Sequence, residues 1–168
     1  METNFLNIAN TFGAVLGGLA AAIGLSFVYF QLNASRKIAE ADLVLRLEGE
    51  WIDHYMEYYK KFLAGGKWSI DGLGPIDSDE KVLIEEYLDF FVTLSVLVEN
   101  KLLSLVIIDE MFAYRFFVAA NNPHAKNVIE SKKEYWPSLY RLHKSWTKYR
   151  QQRNFIIANK DHDFITGC

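Results

Sequence analysis

Apolar residues recur at spacings of three and four positions along nearly the whole chain, a period that is typical of helices. Glycine and proline, which interrupt helices, fall mainly between these runs, and no convincing pair of strands is present. The sequence therefore predicts an all-α fold. The predicted helices extend from the N-terminal region to a stop at Gly65-Gly66, from Ser78 to about Asn100, from Leu105 to Ala120, from Lys126 to Tyr135 and from Pro137 to about Arg153.

The first of these helices has an unusual charge pattern, because no charged residue lies between Glu2 and Arg36. Phe12 to Leu32 is mainly apolar, and as a helix it would be about 31 Å long. The hydrocarbon core of a bilayer is ~30 Å thick, so we expect a transmembrane helix. A cleaved signal peptide is disfavoured by the acidic Glu2. A buried helix of a soluble protein is disfavoured by the length of the uncharged run.

The flanking charges predict the orientation of this span. Arg36 and Lys37 follow it directly, whereas Glu2 is the only charge on the N-terminal side. Because basic flanks stay in the cytoplasm, we expect a single-pass protein of the cell inner membrane with its N-terminus outside. The predicted domains are a transmembrane helix (1–35) that continues into a cytosolic helical bundle (36–153), and a C-terminal tail (154–168).

One face of the predicted span is made of small and polar residues. Its positions alternate by three and four, and all but Val28 are small or polar: Asn7, Asn10, Ala14, Gly17, Ala21, Gly24, Val28, Gln31 and Ser35. The opposite face carries larger apolar residues, from Phe12 to Phe30, that suit lipid. Close packing between copies in a homo-oligomer would explain the small residues. A pore wall, with Asn7, Asn10 and Gln31 facing water, would also explain them but needs several copies. Chance composition is the third interpretation.

Positive charge is concentrated in the last predicted helix and just beyond it. The candidate anion-binding residues are Arg141, Lys144, Lys148, Arg150 and Arg153. Three interpretations stay open. The charges can form a solvated face that pairs with the acidic front half of the chain, they can attract anionic lipid headgroups, or they can bind an anionic ligand such as a nucleotide or a short nucleic acid strand.

The sequence offers little for catalysis. Hydrophobic residues make up 51% of the chain and the net charge is −3, which excludes a disordered polypeptide. The only cysteine is Cys168, so an intrachain disulfide is excluded. Glu50 and His54 have a spacing that suits a shared metal, but an exposed charged face is the simpler explanation. Nucleophile elbows, P-loops and dinucleotide-binding glycine patterns are absent from the sequence. We therefore expect no enzymatic activity, no metal site and no cofactor.

Four segments carry a resemblance to a known family: FQLNASRK after the span, then LDFFVTLSVLVENKLLS, IDEMFAYRFF and YWPSLYRLHK. Together they resemble a bacterial family of membrane-anchored helical proteins with one N-terminal span, classed mainly as a domain of unknown function. The chain is also similar to pore-forming effectors of anti-phage defence operons. These motifs are patterns of helix packing and contain no catalytic residue.

The resemblance implies a function that the residues alone do not establish. It implies an oligomeric membrane effector, a ligand-gated ion channel or pore in anti-phage defence. It also implies an oligonucleotide or nucleotide signal and a nucleotidyltransferase partner. The alternative is a non-conducting, membrane-tethered helical adaptor that docks a partner protein.

Overall fold

The computed structural model describes the backbone of residues 2–166 and the side chains of residues 22–166. Within that part of the chain every regular element is helical, which confirms the predicted all-α class. The α-helices are α1 (Glu2–Glu50), α2 (Met56–Phe62), α3 (Ser78–Glu99), α4 (Leu105–Ala120), α5 (Pro123–Ser131) and α6 (Pro137–Gln152). A π-helical turn, Trp51–Tyr55, separates α1 from α2, and a 3-10 turn, Lys160–His162, lies near the end.

The chain divides into two compact units, Met1–Leu43 and Val44–Cys168. We call the second unit the helical bundle. The last residues of α1 belong to the bundle, because Val44, Leu47 and the following Trp51 are all buried there.

In the first unit, the described side chains of α1 are exposed, except those of Glu40 and Leu43, which are half-buried. The large apolar residues between Ile23 and Leu32 are 51% to 74% exposed. Among the residues with described side chains, no helix is both long and apolar enough to cross a membrane. Residues 12–21 of the predicted span lie outside the residues whose side chains the structure describes.

The first predicted helix differs from the structure in one respect. The sequence predicted an unbroken helix as far as Gly65, but a π-helical turn interrupts it at Trp51. Two aromatic side chains are packed at the two ends of this turn: Trp51 is fully buried, and the Tyr55 ring lies 5.3 Å from the Phe90 ring centre. Packing of this kind offsets the poorer geometry of a π turn, and helical periodicity gives no sign of it.

Of the helices after the glycine loop, α3, α4 and α6 begin where the sequence predicts. The start of α5 differs: it lies at Pro123 and not at the predicted Lys126, because Pro123 takes the first helical position after the Asn122 cap. Asp77 caps α3 by accepting a hydrogen bond from the Glu80 N–H (2.9 Å). Asn122 caps α5 in the same way, with His124 as the donor (2.8 Å). The predicted and observed bounds of α4 agree. The caps fix the short connections that pack these helices together.

The centre of the bundle is aromatic. The Phe116 and Trp146 rings stack with centres 4.9 Å apart and planes 11° apart, which joins α4 to α6. Phe91 of α3 approaches the same Phe116 ring at 5.1 Å. Offset ring pairs of this type add about 0.5–1.5 kcal/mol beyond the burial of their area. The three longer helices of the bundle therefore share one core.

Candidate functional site

The predicted cationic residues of α6 do not form one open surface. Arg141 is held by Glu99 through two hydrogen bonds, Nε to Oε1 (2.8 Å) and Nη2 to Oε2 (3.1 Å). These bonds raise the pKa of Arg141 and lower that of Glu99. The pair lies at the surface and connects α6 to the C-terminal end of α3.

Arg150 is drawn inward instead. Its Nη1 donates to Asp109 Oδ1 at 2.7 Å, and its Nε donates to the carbonyl of Ile156 at 2.9 Å. Asp109 is 7% exposed, and the same oxygen accepts the indole N–H of Trp146 at 2.6 Å. Arg150 thus neutralises a buried carboxylate and anchors the chain that follows α6.

The other three residues of the predicted anion-binding set are exposed. The Arg153 guanidinium lies 4.0 Å from the centre of the Tyr149 ring. Lys144 and Lys148 are one helical turn apart and have no ion-pair partner among residues 22–166. An anion-binding role for the set remains a prediction. Among the described residues, Lys144, Lys148 and Arg153 are the members of the set without an ion-pair partner.

The residues that form the small and polar face of the predicted span lie mostly outside the described side chains. This applies to Asn7, Asn10, Ala14, Gly17 and Ala21. Gly24 and Gln31 are described, and both are exposed. A Cβ atom added at Gly24 would meet no atom within 4 Å, so the space beside it is open.

A buried polar cluster joins α4, α6 and the C-terminal segment, and sequence reasoning missed it. His143 is fully buried, and its Nε2 lies 2.7 Å from Asn121 Oδ1. The Asn121 amide donates in turn to the carbonyl of Ala158 at 3.0 Å. Asp163 Oδ1 lies 3.8 Å from the same His143 nitrogen. The only sequence signal near this cluster is Asn121-Asn122-Pro123 after α4, a motif that predicts a helix end.

Burial determines the ionisation of this histidine. Desolvation lowers the pKa of His143 from 6.5 to about 4, although the nearby Asp163 carboxylate opposes that change. Burial by itself would raise the pKa of Asp163, but hydrogen bonds from Thr166 oppose this, and the pKa is lowered overall. The ring is therefore neutral at physiological pH. Because no solvent reaches it, we assign the cluster a structural role.

A cavity of about 380 Å³ lies beside the glycine-rich loop that follows α2. The loop is tightly wound, with the Trp68 N–H donating to Lys61 O (2.7 Å) and the Gly74 N–H donating to Lys67 O (3.0 Å). A Cβ atom at Gly66 or Gly72 would overlap backbone carbonyl oxygens, so glycine is required at both positions. The Asn122 amide also donates to Trp68 O (2.8 Å), which pins the loop to α5.

The wall of this cavity is formed by the glycine-rich loop, by α4 and by the C-terminal segment. The lining includes Phe62 and Val118 as apolar floor and Ser69, Asp71, Tyr114 and Asn159 as polar wall. Its volume is within the range of small-molecule sites, and a wound loop on a rigid core is a common support for such sites. Spacing along the sequence could not show that Tyr114 and Asn159 meet this loop.

The structure gives no support for a metal centre in the part that it describes. Among residues 22–166, no group of three His, Asp, Glu or Cys side chains is placed to hold an ion. This includes the surroundings of Glu50 and His54.

Comparison with models of known protein families, with characterised proteins and with solved structures finds no match.

Proposed function

We propose that the chain is an oligomeric membrane effector. The N-terminal part of α1 inserts into the inner membrane, copies associate through its small and polar face, and the helical bundle lies in the cytoplasm. The observation that carries this proposal is the run of exposed apolar side chains between Ile23 and Leu32. The absence of charge between Glu2 and Arg36 extends the same character toward the N-terminus.

Burying one large apolar side chain is worth about 1.5–3 kcal/mol. Seven such residues are exposed here: Ile23, Leu25, Phe27, Val28, Tyr29, Phe30 and Leu32. Together they favour a covered state by ~10 kcal/mol or more. Lipid or neighbouring copies of α1 would provide that cover.

The two faces of the helix favour different neighbours. Phe27 and Phe30 are suited to lipid, whereas Gly24 leaves open space in which another helix can approach closely. Gln31 lies on the side of Gly24 and would contact water or another copy rather than hydrocarbon. A ring of copies that places this side inward would form a pore.

Control of such a pore requires a ligand that binds one state of the oligomer better than the other. The exposed Lys144, Lys148 and Arg153 are the residues that we propose for an anionic signal such as a nucleotide or oligonucleotide. A nucleotidyltransferase partner that makes such a signal fits the resemblance to defence effectors. The salt dependence of binding would report phosphate contacts.

A non-conducting adaptor is the second candidate. Arg141 and Arg150 are engaged within the bundle by Glu99 and Asp109, which leaves a smaller cationic surface than a phosphate-gated channel would favour. In this case α1 tethers the bundle, and the bundle docks a partner protein. The two candidates share the membrane anchor and differ in conduction.

The test compares Gly24→Leu with Ser26→Leu in the full chain. Both variants add one leucine to α1, but two residues correspond to about 200° around a helix, so they alter opposite faces. We expect Gly24→Leu to reduce the oligomer mass in detergent and the ion conductance of liposomes, and Ser26→Leu to change neither. A chain that stays monomeric and dissolves without detergent overturns the anchor and the oligomer together. A wild-type oligomer that never conducts supports the adaptor.

A further inference from the structure

The charge on the wall of the cavity has one sign. Asp71 is the only charged residue among those that line it, and none of them is Lys, Arg or His. Asp71 is exposed and has no hydrogen-bond or ion-pair partner among residues 22–166. The cavity therefore favours a positive ligand, in contrast to the exposed face of α6.

The polar groups around the cavity also favour a ligand that donates hydrogen bonds. Ser69 is 8% exposed, and its hydroxyl has no partner in the described part of the chain. Asn159 donates its amide nitrogen to the carbonyl of Val118 (3.1 Å), which leaves its amide oxygen as an acceptor. Hydroxyl, amide oxygen and carboxylate together supply more acceptors than donors.

Two aromatic rings complete the wall. Phe62 is buried and Tyr114 is exposed, and a ring face attracts a cation that lies within about 6 Å of its centre. Two lysines that adjoin lining residues in the sequence, Lys61 of α2 and Lys67 of the loop, are engaged elsewhere. Lys61 Nζ lies 4.5 Å from the Trp68 ring centre, and Lys67 pairs with Glu80. Neither lysine is a lining residue of the cavity.

We propose that this cavity binds a small organic cation, a primary ammonium or guanidinium group, with Asp71 as counter-ion, Ser69 and Asn159 as acceptors and Tyr114 as the aromatic wall. Its volume of about 380 Å³ suits a head group with a short aliphatic stem. The glycine loop is already wound and hydrogen-bonded, so binding needs little further ordering. The proposal does not depend on conduction or on the membrane anchor.

The test uses three probes of the same shape and different charge: n-butylammonium, n-butanol and butyrate. Each is titrated into the full-length protein in detergent, and binding is followed by two-dimensional NMR of the loop amides and by calorimetry. We expect saturable binding of the ammonium alone. Equal binding of butyrate or butanol overturns the proposal, and so does the lack of saturable binding by butylammonium.

Matched variants test the residues. Asp71→Asn should weaken butylammonium binding about tenfold or more, because a charge-assisted hydrogen bond is lost. Asp53→Asn removes an exposed carboxylate that does not line the cavity and should leave binding unchanged. Because Asp71 is exposed and unpartnered, its variant should fold. Equal affinities of the two variants overturn the proposal.

The aromatic wall and the source of the cation are tested separately. Tyr114→Phe keeps the ring and should bind within about twofold of wild type, whereas Tyr114→Leu should weaken binding about two- to fivefold. Equal binding by both variants would remove the ring from the proposed site.

Capped lysine, compared with butylammonium, distinguishes a protein side chain from a free amine as the ligand. Tighter binding of the capped lysine indicates a partner protein, and tighter binding of the free amine indicates a small molecule.

Discussion

Replacing His143 by glutamine should remove a specific part of the acid sensitivity of this protein. The folded chain keeps His143 fully buried, and desolvation lowers its pKa from 6.5 to about 4. Its Nε2 faces Asn121 Oδ1, which assigns the ring proton of the neutral form to that nitrogen. A second proton would have to bind at Nδ1, a buried atom with no hydrogen-bond partner in the described part of the chain. Protonation of the folded state is therefore unfavourable.

The sign and size of the effect follow from proton linkage. The unfolded chain takes up a proton on this residue near pH 6.5, and the folded chain does so only near pH 4. The stability that depends on neutral His143 is thus fully present above pH 6.5 and is lost as the pH falls from 6.5 toward 4. The whole shift corresponds to about 3 kcal/mol, of which about 2 kcal/mol is lost by pH ~4.5.

Among the described residues, the titratable group that acts on the ring is Asp163, whose Oδ1 lies 3.8 Å from Nε2. Its own pKa is lowered, so it stays ionised through most of this pH range and its change does not mask that of His143. Protonation of other carboxylates at lower pH destabilises wild type and variant alike. The difference between the two proteins therefore isolates the histidine.

The assay is urea unfolding of the full chain in detergent, followed by tryptophan fluorescence at about pH 7 and about pH 4.5. Glutamine keeps an amide donor for Asn121 but cannot be protonated, so His143→Gln should lose about 2 kcal/mol less than wild type between the two pH values. His54→Gln, an exposed position, should follow wild type. Equal pH slopes in wild type and His143→Gln, or an NMR titration of the His143 ring near pH 6.5, would refute this reasoning.

Two further predictions concern the stability of the bundle and use the same unfolding assay. Asp109→Ala leaves the Arg150 guanidinium and the Trp146 indole without their shared acceptor and should lower the free energy of unfolding by about 3 kcal/mol; Asp53→Ala, at an exposed carboxylate, should have little effect, and a loss below about 1 kcal/mol for Asp109→Ala would contradict a structural role. Gly49→Ala places a Cβ atom in open space on a helix and should raise the free energy of unfolding by about 0.5–1 kcal/mol, whereas Gly66→Ala should lower it because the new atom overlaps the carbonyls of Lys60 and Lys61. Equal effects of the two glycine changes would mean that the loop is not wound as described.

Local sequence signals predicted the helices well, because the interactions that start and stop a helix lie within a few residues. Asp77 and Glu80 are three residues apart, and the bounds of α4 follow from an apolar run that ends at Asn121-Asn122-Pro123. The π turn at Trp51 was missed, since the contacts of Trp51 and Tyr55 with Arg115 and Phe90 are distant in sequence. The orientation of the N-terminus and the role of the small and polar face of α1 stay predictions.

The sequence by itself determined the helical class, the bounds of α3, α4 and α6 and the uncharged N-terminal run. These features depend on short-range periodicity and composition. Only the tertiary structure decided which basic side chains are held in ion pairs within the bundle. It paired Arg150 with Asp109 across 41 residues and Arg141 with Glu99 across 42, and it brought Asn159 to a cavity that is also lined by the glycine loop and by α4. Such partners meet only after the helices pack, because no periodic pattern records which surfaces come together.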